Sequence, residues 1–221
     1  MWTYFQNQQP GVFRAGHGAL RYLLRLVLVR GCQRVLNIGA GDGYFEHLAL
    51  TRGLDVTSVD PDPQTVERLA NLGIPARWGY AQAIPAGDGQ FDAVVVAAVL
   101  EHLAADEMEQ ALAEVQRVLR PGGYLIGYVP YREDLQVSVV VCPQCGHRFH
   151  RWGHCQVFDR ATLRAALASV EFEVELIATR VFAADGLNWR GSLMHSCRWL
   201  LWAVGVRVKC SLVFAVRREV N

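Results

Sequence analysis

The sequence predicts an α/β fold, doubly wound around a mostly parallel seven-stranded sheet, and three observations carry that expectation. Helical spacing and short apolar runs alternate from Ala19 onward, as they do where crossover helices join parallel strands. The run FDAVVVAA, residues 91–98, is apolar at every position after Asp92, which suits a strand buried on both faces. Finally, VLNIGAGDGYF, residues 35–45, drives an apolar strand into a glycine-spaced turn, the junction at which such sheets hand a strand over to a helix.

The elements follow in order. A helix from Ala19 to Val29 precedes a strand from Arg34 to Ile38, then a helix from Asp42 to Thr51 and a strand from Leu54 to Val59. Pro63 sits early in a helix that runs to Asn71, where its missing N–H costs nothing. A short strand, Ala76 to Trp78, and a loop rich in Gly and Pro lead to FDAVVVAA. Asp106 with Glu109 resembles an N-terminal capping pair, and Met108, Ala111, Leu112, Val115, Val118 and Leu119 follow at helical spacing. PGG stops that helix before the strand Tyr124 to Val129. After an irregular segment, Pro130 to Phe158, Asp159 caps a helix of Leu and Ala, and residues 171–180 alternate as a strand. A Trp-rich helix from about Ser192 and a last strand, Lys209 to Val216, complete the seven strands.

Bulk properties set limits. With 221 residues, 52% hydrophobic and 19% charged, the chain can bury one sizeable core and reads as a single domain over residues 1–221 with an insertion at about 130–158. A formal net charge of +1 leaves no polyelectrolyte footprint and counts against nucleic acid as the main partner. The six cysteines are unevenly spread, as in a metal cluster in a reducing compartment rather than a disulfide frame. The start, MWTYFQNQQPG, lacks a basic n-region and an apolar h-region, so the cytoplasm is the expected location. Leu20 to Val29 is broken by Arg25, and Trp199 to Val206 follows Arg198. Both fall far short of the roughly 20 apolar residues of a spanning segment, leaving only an interfacial contact open.

The glycine turn carries the first chemistry. Gly39, Gly41 and Gly43 remove Cβ atoms where the backbone must turn sharply and approach a ligand. Asp60, closing the next apolar run, supplies a carboxylate able to accept both hydroxyls of a ribose. The spacing is GxGxG, and Tyr44 stands where the third glycine of a pyrophosphate-binding GxGxxG would be. A nucleoside-type ligand therefore fits better than a dinucleotide, and a nicotinamide oxidoreductase is remote.

The chain resembles the class I S-adenosylmethionine-dependent methyltransferases of the broad type 11 group, which share a Rossmann-like methyltransferase fold. VLNIGAGDGYF, SVDPDP, AIPAGDGQFDAVVVAAVLEHL and VLRPGGYLIGYVP match that family's motifs in order over roughly residues 20–130. The resemblance implies that Gly39, Ala40 and Gly41 line the methionine and ribose of S-adenosylmethionine, that Asp60 holds the ribose, and that Pro61 lies beside the adenine. It places Ala81 and Gln82 at the adenine rim, and Ala97 and Ala98 beside the methyl-bearing sulfur. Asn37 stands where the family usually has an acid, and Tyr80 where it usually has an Asp. Asn37 can still accept a hydrogen bond, and Tyr80 can stack on or bond to adenine.

A second feature is CPQCGHRFHRWGHCQVF, residues 142–158. Cys142 and Cys145 form a CPxCG knuckle, and His150 with His154 adds a second donor pair. Together they predict a closed Cys2His2 zinc site with a structural role, His147 and Cys155 being rival ligands. Such a metal would order the insertion into a lid over the acceptor site, since the insertion leaves the sheet at its carboxyl edge. Similar segments occur in some bacterial methyltransferases of this type.

Methyl transfer needs placement, exclusion of water and at most a base. His102 is the first candidate for that base, with His17 and Tyr131 behind it, while Glu101 reads as a solvated or capping carboxylate. Tyr131, Arg132, Phe149, Arg151, Trp152, Trp189 and Arg190 are expected around the acceptor, a mix suiting a small molecule or a glycan- or carrier-linked group, most simply by O-methylation. The competing function is a catalytically degenerate methyltransferase fold serving as a zinc-containing binding module.

Overall fold

The computed structural model describes residues 2–182 and 210–220. Helix α1 (Trp2–Gln8) and a 3-10 turn (Pro10–Gly16) precede α2 (His17–Val29). Strand β1 (Arg34–Ile38), α3 (Tyr44–Thr51), β2 (Asp55–Asp60), α4 (Pro63–Asn71), β3 (Ala76–Trp78) and β4 (Phe91–Ala97) follow. Helix α5 (Ala105–Val118) leads into β5 (Leu119–Pro130). A hairpin of β6 (Val139–Val141) and β7 (Arg148–His150) occupies the insertion, and α6 (Arg160–Ala168), β8 (Phe172–Arg180) and β9 (Ser211–Arg218) complete the described elements.

The main sheet has seven strands in the order β3-β2-β1-β4-β5-β9-β8. The pairings from β3 through β5 are parallel, and β9 runs antiparallel to both neighbours. The strand order turns between β1 and β4, which opens a crevice at the carboxyl ends of those two strands.

The apolar runs are explained by a core on each face. Leu36, Val94, Val96 and Leu125 pack with Leu112, Val115 and Leu163 from α5 and α6. Val35, Ala93, Val95 and Ile126 pack with Leu23, Val27, Phe45 and Ala49 from α2 and α3. Successive residues of one strand thus enter opposite cores, so β4 is covered on both faces up to Val96, and only Ala97 at its end is partly open. Gly127 marks the tightest packing, because a Cβ there would lie 2.3 Å from Val96 O and 2.7 Å from Phe214 Cζ.

Several boundaries differ from the sequence expectation. The cap of α5 sits two residues early: Ala104 N–H donates to Glu107 Oε2 at 2.8 Å, and Asp106 and Glu109 lie within the helix. Strand β5 begins at Leu119 rather than Tyr124, because PGG is absorbed in a bulge between the pairs Phe91–Leu119 and Ala93–Tyr124. Helix α1, the 3-10 turn and the β6–β7 hairpin had no sequence expectation. The Trp-rich helix from Ser192 lies outside the described residues, and no described helix is long and apolar enough to cross a membrane.

Candidate active site

A cavity of about 720 Å³ opens at the carboxyl ends of β1, β2 and β4. Asn37, Gly39, Ala40 and Gly41 line it from the β1 turn, and Asp60 and Pro61 from the end of β2. Tyr80, Ala81 and Gln82 line it from the loop after β3, and Ala97, Ala98 and His102 from the region after β4. Gly43 is the one expected cofactor residue that does not face it. Its φ of 84° starts α3, its N–H donates to Ala40 O at 2.9 Å, and a Cβ there would lie 2.9 Å from Leu69 Cδ2. Gly43 is required by packing against α4.

Asp60 is only 1% exposed. Ala40 N–H and Gln6 Nε2 each donate to its Oδ2 at 2.9 Å, and Asp62 N–H to its Oδ1 at 2.9 Å. Burial pushes its carboxyl above the ordinary range, against these donors. Gln6 arrives on α1, which is also tied down by Asn7 Nδ2 donating to Asp62 Oδ2 at 2.7 Å. The 3-10 turn covers the glycine turn, with Phe13 Cδ1 3.3 Å from where a Cβ on Gly41 would stand.

The amide of Asn37 is oriented by Glu46. Asn37 Nδ2 donates to Glu46 Oε1 at 2.6 Å and Ser58 Oγ donates to the same oxygen at 2.5 Å. Glu46 is fully buried, and burial raises its pKa. The carboxylate that the family usually carries at the strand position is here replaced by Asn37 backed by an acid nine residues on. With Nδ2 committed, Asn37 Oδ1 is a buried acceptor that meets no partner among the described residues, as is Gln6 Oε1. Both residues line the cavity. Unpartnered acceptors suit a ligand bearing hydroxyl and ammonium donors, so the residues present fit S-adenosylmethionine.

The acceptor end is built differently. His102 ends a 3-10 turn, Leu100–His102, reached through Ala98 at a φ of 55°. Its Nδ1 faces Gly153 O at 3.3 Å, and burial together with the neighbouring His154 pushes its pKa down to about 4. At neutral pH the ring is therefore uncharged. Glu101 corrects the expectation of a solvated carboxylate: it is 0% exposed, neither carboxylate oxygen meets a hydrogen-bond partner among the described residues, and burial pushes its carboxyl up to about 8.

The insertion is pinned onto this turn. Cys155 N–H and Gln156 N–H donate to Glu101 O at 2.9 and 3.2 Å, and Cys155 Sγ donates to Leu103 O at 3.3 Å. His154 Nδ1 contacts Glu133 Oε2, and His150 Nε2 lies 3.8 Å from Glu133 Oε1. Trp152 lines the cavity and meets Phe5 of α1 at a ring separation of 5.7 Å.

The predicted Cys2His2 zinc site is not assembled. Val139 pairs with His150 and Val141 with Arg148, so Cys142 and Cys145 stand at the tip of the hairpin while His150 stands at its base. Three residues of strand separate the levels, on the order of 10 Å. Backbone amides of Cys145 and Gln144 lower the pKa of the Cys142 thiol, but among the described residues no histidine joins the pair in a ligand cluster; His150 and His154 gather with Glu133 instead. Of the rival ligands, His147 shares the tip with the two cysteines but joins no ligand cluster with them among the described residues, and Cys155 faces backbone carbonyls.

Other expected residues lie elsewhere. His17 stacks on Tyr44 at 3.6 Å with Nε2 2.7 Å from Asp42 Oδ2, behind the turn rather than on the cavity. Tyr131 bridges to Phe158 and packs on the core. Arg132 pairs with Asp159 at 3.6 Å, Phe149 and Arg151 are exposed, and Trp189 and Arg190 lie outside the described residues. The sequence reading missed Gln6, Glu46 and Glu133. None belongs to a spaced motif, and each becomes visible only through its partner.

A seven-stranded sheet with a single antiparallel strand inside one edge, and a cavity at the β1–β4 crevice, defines the class I methyltransferase fold. Residues 36–127 match the family model described as a methyltransferase domain. Over 147 residues it is 41% identical to an uncharacterized methyltransferase of Mycobacterium tuberculosis, covering 66% of this chain and 58% of that relative. A relative from Mycolicibacterium gilvum is 30% identical over 166 residues, 72% of this chain and 60% of its own length. The chain thus spans under two thirds of these relatives. Among solved structures, a SAM-dependent methyltransferase of Thermotoga maritima superposes with a TM-score of 0.67 at 20% identity, covering 99% of this chain and all of that one. The 1,6-didemethyltoxoflavin-N1-methyltransferase of Burkholderia thailandensis, solved with its acceptor and S-adenosylhomocysteine, gives 0.67 at 17% identity over 98% of this chain and 84% of its own.

Proposed function

We propose that this chain transfers a methyl group from S-adenosylmethionine to a small-molecule or glycan- or carrier-linked acceptor, by O-methylation. The observation that carries the reading is the continuity of one cavity from Asp60 and the glycine turn to His102, His154 and Trp152. Bound S-adenosylmethionine would supply an activated methyl group on a sulfonium leaving group. Asp60 and Gln6 would hold the ribose hydroxyls, Asn37 Oδ1 would accept from the amino group of the methionyl part, and Tyr80 to Gln82 would border the adenine. Ala97 and Ala98, small and at the strand end, leave room beside the reacting carbon. Leu103 and Trp152 exclude water, and His102 borders the acceptor as the candidate catalytic residue. The free thiols of Cys142, Cys145 and Cys155 support a reducing, cytoplasmic setting.

Titration calorimetry with S-adenosylhomocysteine is the test. Binding that weakens in Asp60→Ala supports the reading, whereas no heat at millimolar ligand would return the fold to the role of a binding scaffold.

A further inference from the structure

Five side chains that the cofactor does not need gather at the acceptor end of the cavity. Two overlapping trios share His154: one of Glu101, His102 and His154, the other of Glu133, His150 and His154. Within each trio one donor atom per residue lies within 4.8 Å of the other two. Glu101 is the anomaly that demands a partner. A carboxyl group 0% exposed, with neither oxygen hydrogen-bonded by another described residue, is costly to bury unless it meets a cation or a donor.

Ring chemistry decides which trio can ligate. The Nδ1 of His102 faces the Gly153 carbonyl at 3.3 Å; a carbonyl only accepts, so Nδ1 bears the hydrogen and the neutral ring carries its lone pair on Nε2. The Nδ1 of His154 contacts a Glu133 carboxylate oxygen, which by the same reasoning puts the lone pair of that ring on Nε2. His150 is the reverse. Its Nδ1 accepts the backbone N–H of His154 at 3.1 Å, so its hydrogen is on Nε2, the nitrogen 3.8 Å from Glu133 Oε1. His150 therefore cannot bind a metal through Nε2 and instead faces the carboxylate that orients His154. A ligating histidine whose other nitrogen donates to a carboxylate or carbonyl is the usual outer arrangement of a metal site.

We propose that Glu101, His102 and His154 hold a divalent transition-metal cation, with Gly153, Glu133 and His150 orienting the two ligating rings. Two imidazoles and one carboxylate suit a first-row cation and leave coordination positions open. His102 and His154 both line the cavity, so those positions are accessible to an acceptor, and an acceptor with oxygen donors is the class selected. Glu133 and His154 come from the 130–158 insertion and Glu101 and His102 from the turn after β4; the cation joins the two. What the cation does for catalysis rests on the methyl-transfer reading, but whether it binds does not.

The test uses the full chain purified without chelator, for metal content, and then the chelator-treated chain titrated with zinc and manganese chlorides by calorimetry, with S-adenosylhomocysteine titrated in parallel. About one cation per chain is expected. Glu101→Gln and His154→Asn should abolish or weaken binding at least about tenfold, and Glu133→Gln should weaken it about 10- to 100-fold through the outer shell. Cys142→Ser and Cys145→Ser should keep the cation. Because Glu101→Gln preserves size, a metal-induced rise in melting temperature seen in the wild type and missing in that variant separates ligation from misfolding. No cation in the wild type under either protocol, or a cation lost in Cys142→Ser and kept in Glu101→Gln, overturns the proposal. A chain that binds the cation but not S-adenosylhomocysteine would overturn the methyl-transfer reading and leave the metal site standing.

Discussion

The two ends of one cavity are assembled in opposite ways. At the cofactor end, Asn37 to Gly41 and Asp60 to Pro61 lie on adjacent parallel strands, each strand delivering its residues through a turn a few positions long. At the acceptor end, Glu101 and His102 meet partners from residues 133 to 156: Cys155 and Gln156 N–H donate to Glu101 O, and the His102 ring faces Gly153 O. The first end is framed by the turns that close β1 and β2, with Gln6 added from α1; the second is framed by an insertion that closes over the turn after β4. Chemistry common to many acceptors can be built into a sheet edge, while chemistry particular to one acceptor is built into what is added over it.

The separation can be broken by mutation. The largest expected effect is at the acceptor end: His102→Ala should cut turnover about a hundredfold or more while S-adenosylhomocysteine affinity stays unchanged. A matching loss of affinity would show that the two ends are not separable. Next is Asp60→Ala, which should weaken S-adenosylhomocysteine by about 1–3 kcal/mol, with Asp60→Asn as the variant that keeps shape. Unaltered affinity in both would mean that the ribose does not lie there. Beneath both ends, Gly127→Ala should destabilise the fold by about 1–3 kcal/mol by overpacking against Val96 and Phe214, read as a lower chemical-denaturation midpoint.

These differences also explain what could be read from the sequence. Strands β1 and β3 and helix α4 have the residue bounds expected from it, because apolar runs and an N1 proline act locally. The α5 cap was misplaced because Asp106 and Glu107 are adjacent acids in the first turn, and only geometry shows that Glu107 receives the Ala104 amide. The Cys2His2 set is not gathered for a physical reason: spacing counts donors along the chain, but the β6–β7 register places the thiols and His150 at opposite ends of a hairpin. Glu101 looked like a surface acid because nothing nearby in sequence announces that Cys155 and Gln156 will close over it.

Glu46 gives the smallest and most discriminating effect, since it is a buried acid at the end that is otherwise legible. Burial raises its pKa in the folded chain, against the donors Ser58 and Asn37, whereas in the unfolded chain a Glu titrates near about 4.3. The folded state thus binds the proton more tightly, and the contribution of Glu46 to stability falls as pH rises from about 4.3 up through its folded pKa, then stays level. Glu46→Gln keeps an oxygen that can accept from Asn37 Nδ2 and Ser58 Oγ but never ionises. Its melting temperature relative to wild type should therefore rise as pH climbs above about 4.3 and level off once Glu46 is ionised in the wild-type fold. Parallel pH profiles for the two proteins would show that Glu46 ionises at no cost. The charge behind Asn37 would then be an ordinary one, and the acid replaced at the strand position would have been moved rather than buried.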